Sequence, residues 1–67
     1  MKDIIKVCNM NSIDDVNNIR RAISANEGVV ACEINREKGE VSVVYDGYFI
    51  GIEKIIESIE DLGYTVL

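Results

Sequence analysis

The chain has 67 residues and a mass of 7.5 kDa, room for one domain over residues 1–67. Seven Lys and Arg against twelve Asp and Glu give a net charge of −5, which argues against a binder of the nucleic-acid phosphate backbone, a class that normally shows a basic patch or stripe. There is no His, so no Ser–His or Cys–His catalytic pair can be assembled and no enzymatic activity is expected.

No apolar run approaches the roughly 18 residues that argue for a membrane span. The opening residues 1–7, MKDIIKV, lack the long apolar stretch of a signal peptide. Two cysteines, Cys8 and Cys32, are too few for the disulfide framework of small secreted domains and do not form a CxxC. A reducing cytoplasm is the expected setting. Without staples, a core of this size supplies only about 3–5 kcal/mol, so it must pack efficiently.

Ile4-Ile5-Lys6-Val7-Cys8 is short and mostly β-branched, and predicts a strand over residues 3–9. Ser12-Ile13-Asp14-Asp15 then marks a helix start. Ser12 suits the N-cap and Asp15 the reciprocal acidic position three residues on. Early carboxylates and the later Arg20 and Arg21 both complement the helix dipole. Val16, Ile19, Ala22 and Ile23 share one face at spacings of three and four, and Gly28 closes the unit.

Residues 29–35 and 40–45 read as two strands of a hairpin, joined by the polar connector Arg36-Glu37-Lys38-Gly39. Alternation assigns Val41, Val43 and Tyr45 to one face, and Val30, Cys32 and Ile34 to one face of the partner strand. After a loop over residues 46–51, Ile52, Ile55, Ile56, Ile59 and Leu62 mark a second amphipathic helix with Gly63 as its left-handed cap. Residues 64–67 close the chain as a short strand.

The predicted order is βαββαβ. Two helices must bury their stripes on one face of a four-stranded antiparallel sheet, giving a ferredoxin-like α+β sandwich with strand order 4-1-3-2. That order keeps Cys8 and Cys32 apart with a strand between them. Alternation turns Cys8 to the open face while Cys32 lines up with inward Ile34, so no internal disulfide is expected.

At its closing stretch Ile59-Glu60-Asp61-Leu62-Gly63-Tyr64-Thr65-Val66 the chain resembles the heavy-metal-associated domain family, whose members end on an IEDxGYxV signature. Gly28-Val29, the Glu37-Lys38-Gly39 turn and residues 41–46 add to the likeness, which covers nearly the whole chain. This is the domain of small bacterial copper chaperones and of N-terminal modules of copper-transporting P-type ATPases. Tyr64, where many eukaryotic relatives carry Lys, points to the bacterial branch. The resemblance implies metal handling, as a metallochaperone-like protein or an accessory to a P-type ATPase. A P-type metal ATPase or another heavy-metal-associated domain is the implied partner.

The family's metal loop follows the pattern GMxCxxC, two thiolates holding Cu(I), a soft ion that favours sulfur over oxygen. The aligned residues here are Asn9-Met10-Asn11-Ser12-Ile13-Asp14-Asp15, so Ser12 and Asp15 stand where the thiols should be. The usual Cu(I) dithiolate is therefore not expected. If a metal ion is bound, the candidates are Met10, Ser12, Asp14 and Asp15, with Cys8 as a lone thiol ligand. A hard cation, which wants about six or more oxygens, would draw on Asp14, Asp15, the Ser12 hydroxyl and loop carbonyls, although capping and the helix dipole already explain the two carboxylates. Met10 is expected to plug the loop from the core side, and Cys32 to pack where relatives carry a core Val.

Tyr64 occupies the family's aromatic position beside the metal loop, either shaping a docking surface or capping the core. Tyr48, Phe49 and Ile50 form an apolar run between glycines at the opposite end, where relatives are usually polar. That run is a candidate contact surface for a homodimer or a partner; otherwise Phe49 and Ile50 fold under the helices. A metal-independent protein–protein interaction or self-association module is thus the alternative function.

Overall fold

The computed structural model describes all 67 residues. The first strand, β1, runs Lys2–Cys8, one residue earlier than the sequence pattern suggests. Ile5 and Val7 point inward and are buried, while Lys2, Ile4 and Lys6 line the open face. Helix α1, Ile13–Ser24, begins where the cap chemistry places it and buries Val16, Ile19 and Ile23. Gly28, at φ +99°, stands four residues beyond the helix and turns the chain into the next strand.

The hairpin strands β2, Val29–Asn35, and β3, Glu40–Tyr45, match the predicted bounds. Strand alternation buries Val41, Val43 and Tyr45 on β3, as expected. On β2 one expectation is corrected. A bulge between Val29 and Ala31 inserts an extra residue, so Val29 pairs with Tyr45 and Ala31 with Val44. The parity of the strand changes there, and Val30 is 73% exposed and not on the face of Cys32 and Ile34.

Helix α2, Ile52–Glu60, buries Ile55 and Ile59. Leu62 lies past its last turn and is 46% exposed, which corrects its assignment to the apolar stripe. Gly63 takes the expected left-handed conformation at φ +98°. The last strand, β4, is reduced to Thr65–Val66.

The sheet order is β2-β3-β1-β4 with every neighbouring pair antiparallel, and both helices cover one face. The α1–α2 seam is pinned at its end by Asn26, whose Nδ2 donates to Ser58 Oγ at 2.9 Å. No helix is long and apolar enough to cross a membrane.

This topology sorts the molecule into two ends. One end gathers the close of β1, the β2–β3 turn, the start of β4, the N-terminus of α1 and the C-terminus of α2. The other holds Met1, Gly28, the start of β2 and the loop over residues 46–51, tied by Asp46 N–H donating to the Gly28 carbonyl at 2.7 Å.

Candidate functional site

The loop between β1 and α1 is built on an unusual turn residue. Asn9 has φ +68°, and it stands where the family pattern has Gly. Asn is among the few side chains that tolerate the left-handed region. The turn lets Met10 drop into the core, where it is 5% exposed, as expected of a plug.

Ser12 caps α1 and Asp15 answers it. Asp15 N–H donates to Ser12 Oγ at 3.1 Å, and Asp15 Oδ2 accepts from the backbone N–H groups of Ser12 at 3.1 Å and Asn11 at 3.0 Å. The other carboxylate oxygen, Oδ1, accepts from the phenol of Tyr64. Both oxygens of Asp15 are thus engaged by the protein itself.

These bonds set the electrostatics of the site. The Tyr64 bond, with help from the Asn11 amide, holds the Asp15 carboxyl below its ordinary range, and partial burial opposes them. The same bond, together with burial, pushes the Tyr64 phenol up. Tyr64 is half-buried, so its ring shelters the loop while its hydroxyl closes it. The sequence offers Asp15 as a cap and candidate ligand, and Tyr64 as a docking-surface or core-capping ring, without a bond between them. The aromatic's family position beside the loop was the signal that an acceptor in the loop would lie within its reach.

Of the other candidates, Asp14 is exposed in the first turn of α1. Cys8 is half-buried at the end of β1, opposite Thr65 in the β1–β4 register. Nowhere do three or more His, Cys, Asp or Glu side chains converge into a group able to hold a metal ion. Cys32 is half-buried against the core two strands away, and burial pushes its thiol pKa up while the charge of Arg20 pulls it down. The oxygen set at positions 12 and 15 does not suit a Cu(I) cargo, which takes soft sulfur.

At the opposite end the apolar run divides. Ile50 folds into the core at 8% exposed, whereas Phe49 is 67% and Tyr48 100% exposed. Tyr48 and Met1 flank a surface hollow with Asp46 and Gly47.

The family model of the heavy-metal-associated domain matches residues 4–65. A copper chaperone CopZ of Staphylococcus aureus (strain bovine RF122 / ET3-1) is 37% identical over 49 residues, which cover 73% of this chain and 72% of the chaperone. Among solved structures, a CopZ metallochaperone superposes with a TM-score of 0.97 at 30% identity, covering 100% of both chains. A copper binding domain from a P-type ATPase gives 0.94 at 26% identity, over 98% of this chain and 89% of that one. A yeast copper transporter domain, known in apo and Cu(I)-loaded states, gives 0.90 at 31% identity, over 97% of this chain and 89% of the domain. By the extent of the match along its length, the chain belongs to the heavy-metal-associated domain family.

Proposed function

We propose that this chain serves metal handling as an accessory domain that carries no Cu(I) between residues 12 and 15. On this reading it docks on a P-type metal ATPase, or on another heavy-metal-associated domain, through the face formed by Ser12, Asp15 and Tyr64. The observation that carries the reading is the closed Asp15 carboxylate, with Oδ2 on two backbone amides and Oδ1 on Tyr64. A metal at this carboxylate would compete with these bonds, and positions 12 and 15 would offer it only oxygen donors. Family membership and the similarity to copper chaperones support the metal-handling context.

The test is titration of the reduced protein with Cu(I) in competition with a Cu(I) chelator. The expected result is that the chelator keeps the ion. Tight binding that survives Cys8→Ser and is lost in Ser12→Ala/Asp15→Ala would overturn the reading.

A second reading, a protein-contact module, draws on the exposure of Tyr48 and Phe49 at the far end. It does not exclude the first, because the two surfaces lie at opposite ends of the sandwich.

A further inference from the structure

Beside the loop, α1 and the β2–β3 turn enclose a surface groove of about 540 Å³. Its apolar floor is Val16 and Ile34, and Ile13, 63% exposed, forms one wall. Ile13, Val16 and Arg20 lie at spacings of three and four, so they share one stripe of the helix. Arg20 from the helix and Arg36 from the turn stand over this floor. Neither makes a salt bridge, although the chain holds twelve carboxylate side chains. Asn35 and Glu37 complete the lining; Asn35 Oδ1 accepts from Lys38 N–H at 3.1 Å and so belongs to the turn. Two arginines against the single carboxylate of Glu37 leave this apolar-floored groove a net charge of +1 on a protein of charge −5, which calls for an occupant that brings carboxylates and an aliphatic side chain together.

The chain itself presents that chemistry. Glu60, Asp61 and Leu62 form an exposed corner between α2 and β4, with neither carboxylate in a salt bridge. Leu62 is the one apolar residue of the helical stripe that the core leaves out. Groove and corner lie at the same end of the sandwich but at opposite edges of the sheet, the groove beside β2 and the corner beside β4. Four strands set those edges about 14 Å apart. The first turn of α1 runs between them, since Ile13 walls the groove while Asp15 reaches Tyr64 next to the corner.

We propose that a second copy of this chain docks here as a two-fold dimer, each copy placing its Glu60–Leu62 corner in the other's groove. A two-fold axis through the first turn of α1 satisfies both contacts at once, so the assembly closes. Arg20 and Arg36 take the partner's carboxylates, Leu62 covers Val16 and Ile34, and Ile13 is buried near the axis. The face is small and polar-rimmed, which fits a weak, reversible dimer. The dimer covers the loop and so competes with the docking proposed above. The test below uses the chain alone, so its failure leaves the Cu(I) reading standing.

Sedimentation velocity from micromolar to millimolar protein should show a monomer–dimer equilibrium that weakens in 1 M salt, where screening shrinks to about 3 Å. Arg20→Glu/Arg36→Glu and, separately, Glu60→Lys/Asp61→Lys should each raise the dimer Kd by about tenfold or more. All four side chains are exposed and outside the recorded ion pairs, so both variants should melt as the parent does. Mixed together, the two variants should dimerise again, because each basic corner then meets an acidic groove and each acidic corner a basic one. A parent that stays monomeric throughout, reversals that leave the Kd unchanged, or a mixture that stays monomeric would each overturn the proposal. So would a dimer abolished by Phe49→Ser, which touches only the far end.

Discussion

Tyr64 and Asp15, 49 residues apart in the chain, are joined by a hydrogen bond from the phenol to carboxylate Oδ1. The bond ties the start of β4 to the first turn of α1 and closes the loop between β1 and α1. It also couples that closure to pH from two sides. A carboxyl held below its ordinary value of 3.8 in the fold stabilises the fold above that pH, and the contribution vanishes as pH falls through the lowered value. A phenol raised above its ordinary value of 10.0 contributes fully below that pH, and loses its effect as pH climbs through the raised value. Tyr64→Phe should therefore reduce stability most at neutral pH. In urea unfolding, the gap between parent and variant should narrow below pH 3.8 and again above pH 10.0. A gap that stays constant from acid to alkali would show that the bond is not formed in solution.

Ser12 Oγ and the Asp15 backbone already meet at 3.1 Å across the first turn of α1, so side chains at these positions stand together. Ser12→Cys/Asp15→Cys places two thiolates on that turn, a donor pair that Cu(I) prefers over oxygen. The double variant should retain one Cu(I) per chain against a chelator that strips the parent, and should do so with Cys8→Ser added. Its apo form should melt below the parent, because the bonds from Tyr64, Ser12 and Asn11 to the carboxylate are gone. If the variant holds copper no better than the parent, something other than the donor atoms closes the site.

Much of this architecture was legible in the chain. The bounds of β2 and β3 follow from β-branched alternation interrupted by a polar turn with Gly39, and the capping box follows from Ser12 and Asp15 three residues apart. What escaped has a physical reason in each case. Val30 fits the alternation of its neighbours, but the bulge at Val29/Ala31 inserts one residue and reverses which side faces the core. Leu62 fits helical spacing, yet the helix stops at Glu60 and the turn swings it outward. The Tyr64–Asp15 bond joins residues that each had a sufficient local role, and local pattern carries no term for a contact made by folding. The groove between Arg20 and Arg36 is of the same kind, since only the packing of α1 against β2 brings those charges to one place.

Gly28 is the point where the far end tolerates least change. It sits at φ +99°, and a Cβ there would come within 2.7 Å of the Phe49 Cβ and 3.1 Å of Ile50 Cγ2. Both the backbone and the space exclude a side chain. Gly28→Ala should cost more than about 1 kcal/mol, the range seen when Ala is forced into positive φ. In a domain of this size that lowers the melting temperature by about 4–8 °C for each kcal/mol. Thermal unfolding followed by circular dichroism checks it, and an unchanged melting temperature would mean the strand-to-loop packing is looser than described.

Phe49 and Ile50 are neighbours with opposite surroundings, which separates core from contact surface. Ile50 is 8% exposed and packs with the core cluster, so Ile50→Ala should cost about 2–5 kcal/mol. That is comparable to the whole stability expected of a domain this small, about 3–5 kcal/mol, and the variant should be largely unfolded at physiological temperature. Phe49 is 67% exposed, so Phe49→Ser should stay within roughly 0.5 kcal/mol of the parent. Urea titrations of both variants would decide the matter. A Phe49→Ser loss as large as that of Ile50→Ala would place the ring under the helices as a core residue, and the far-end contact surface would lose its aromatic pair.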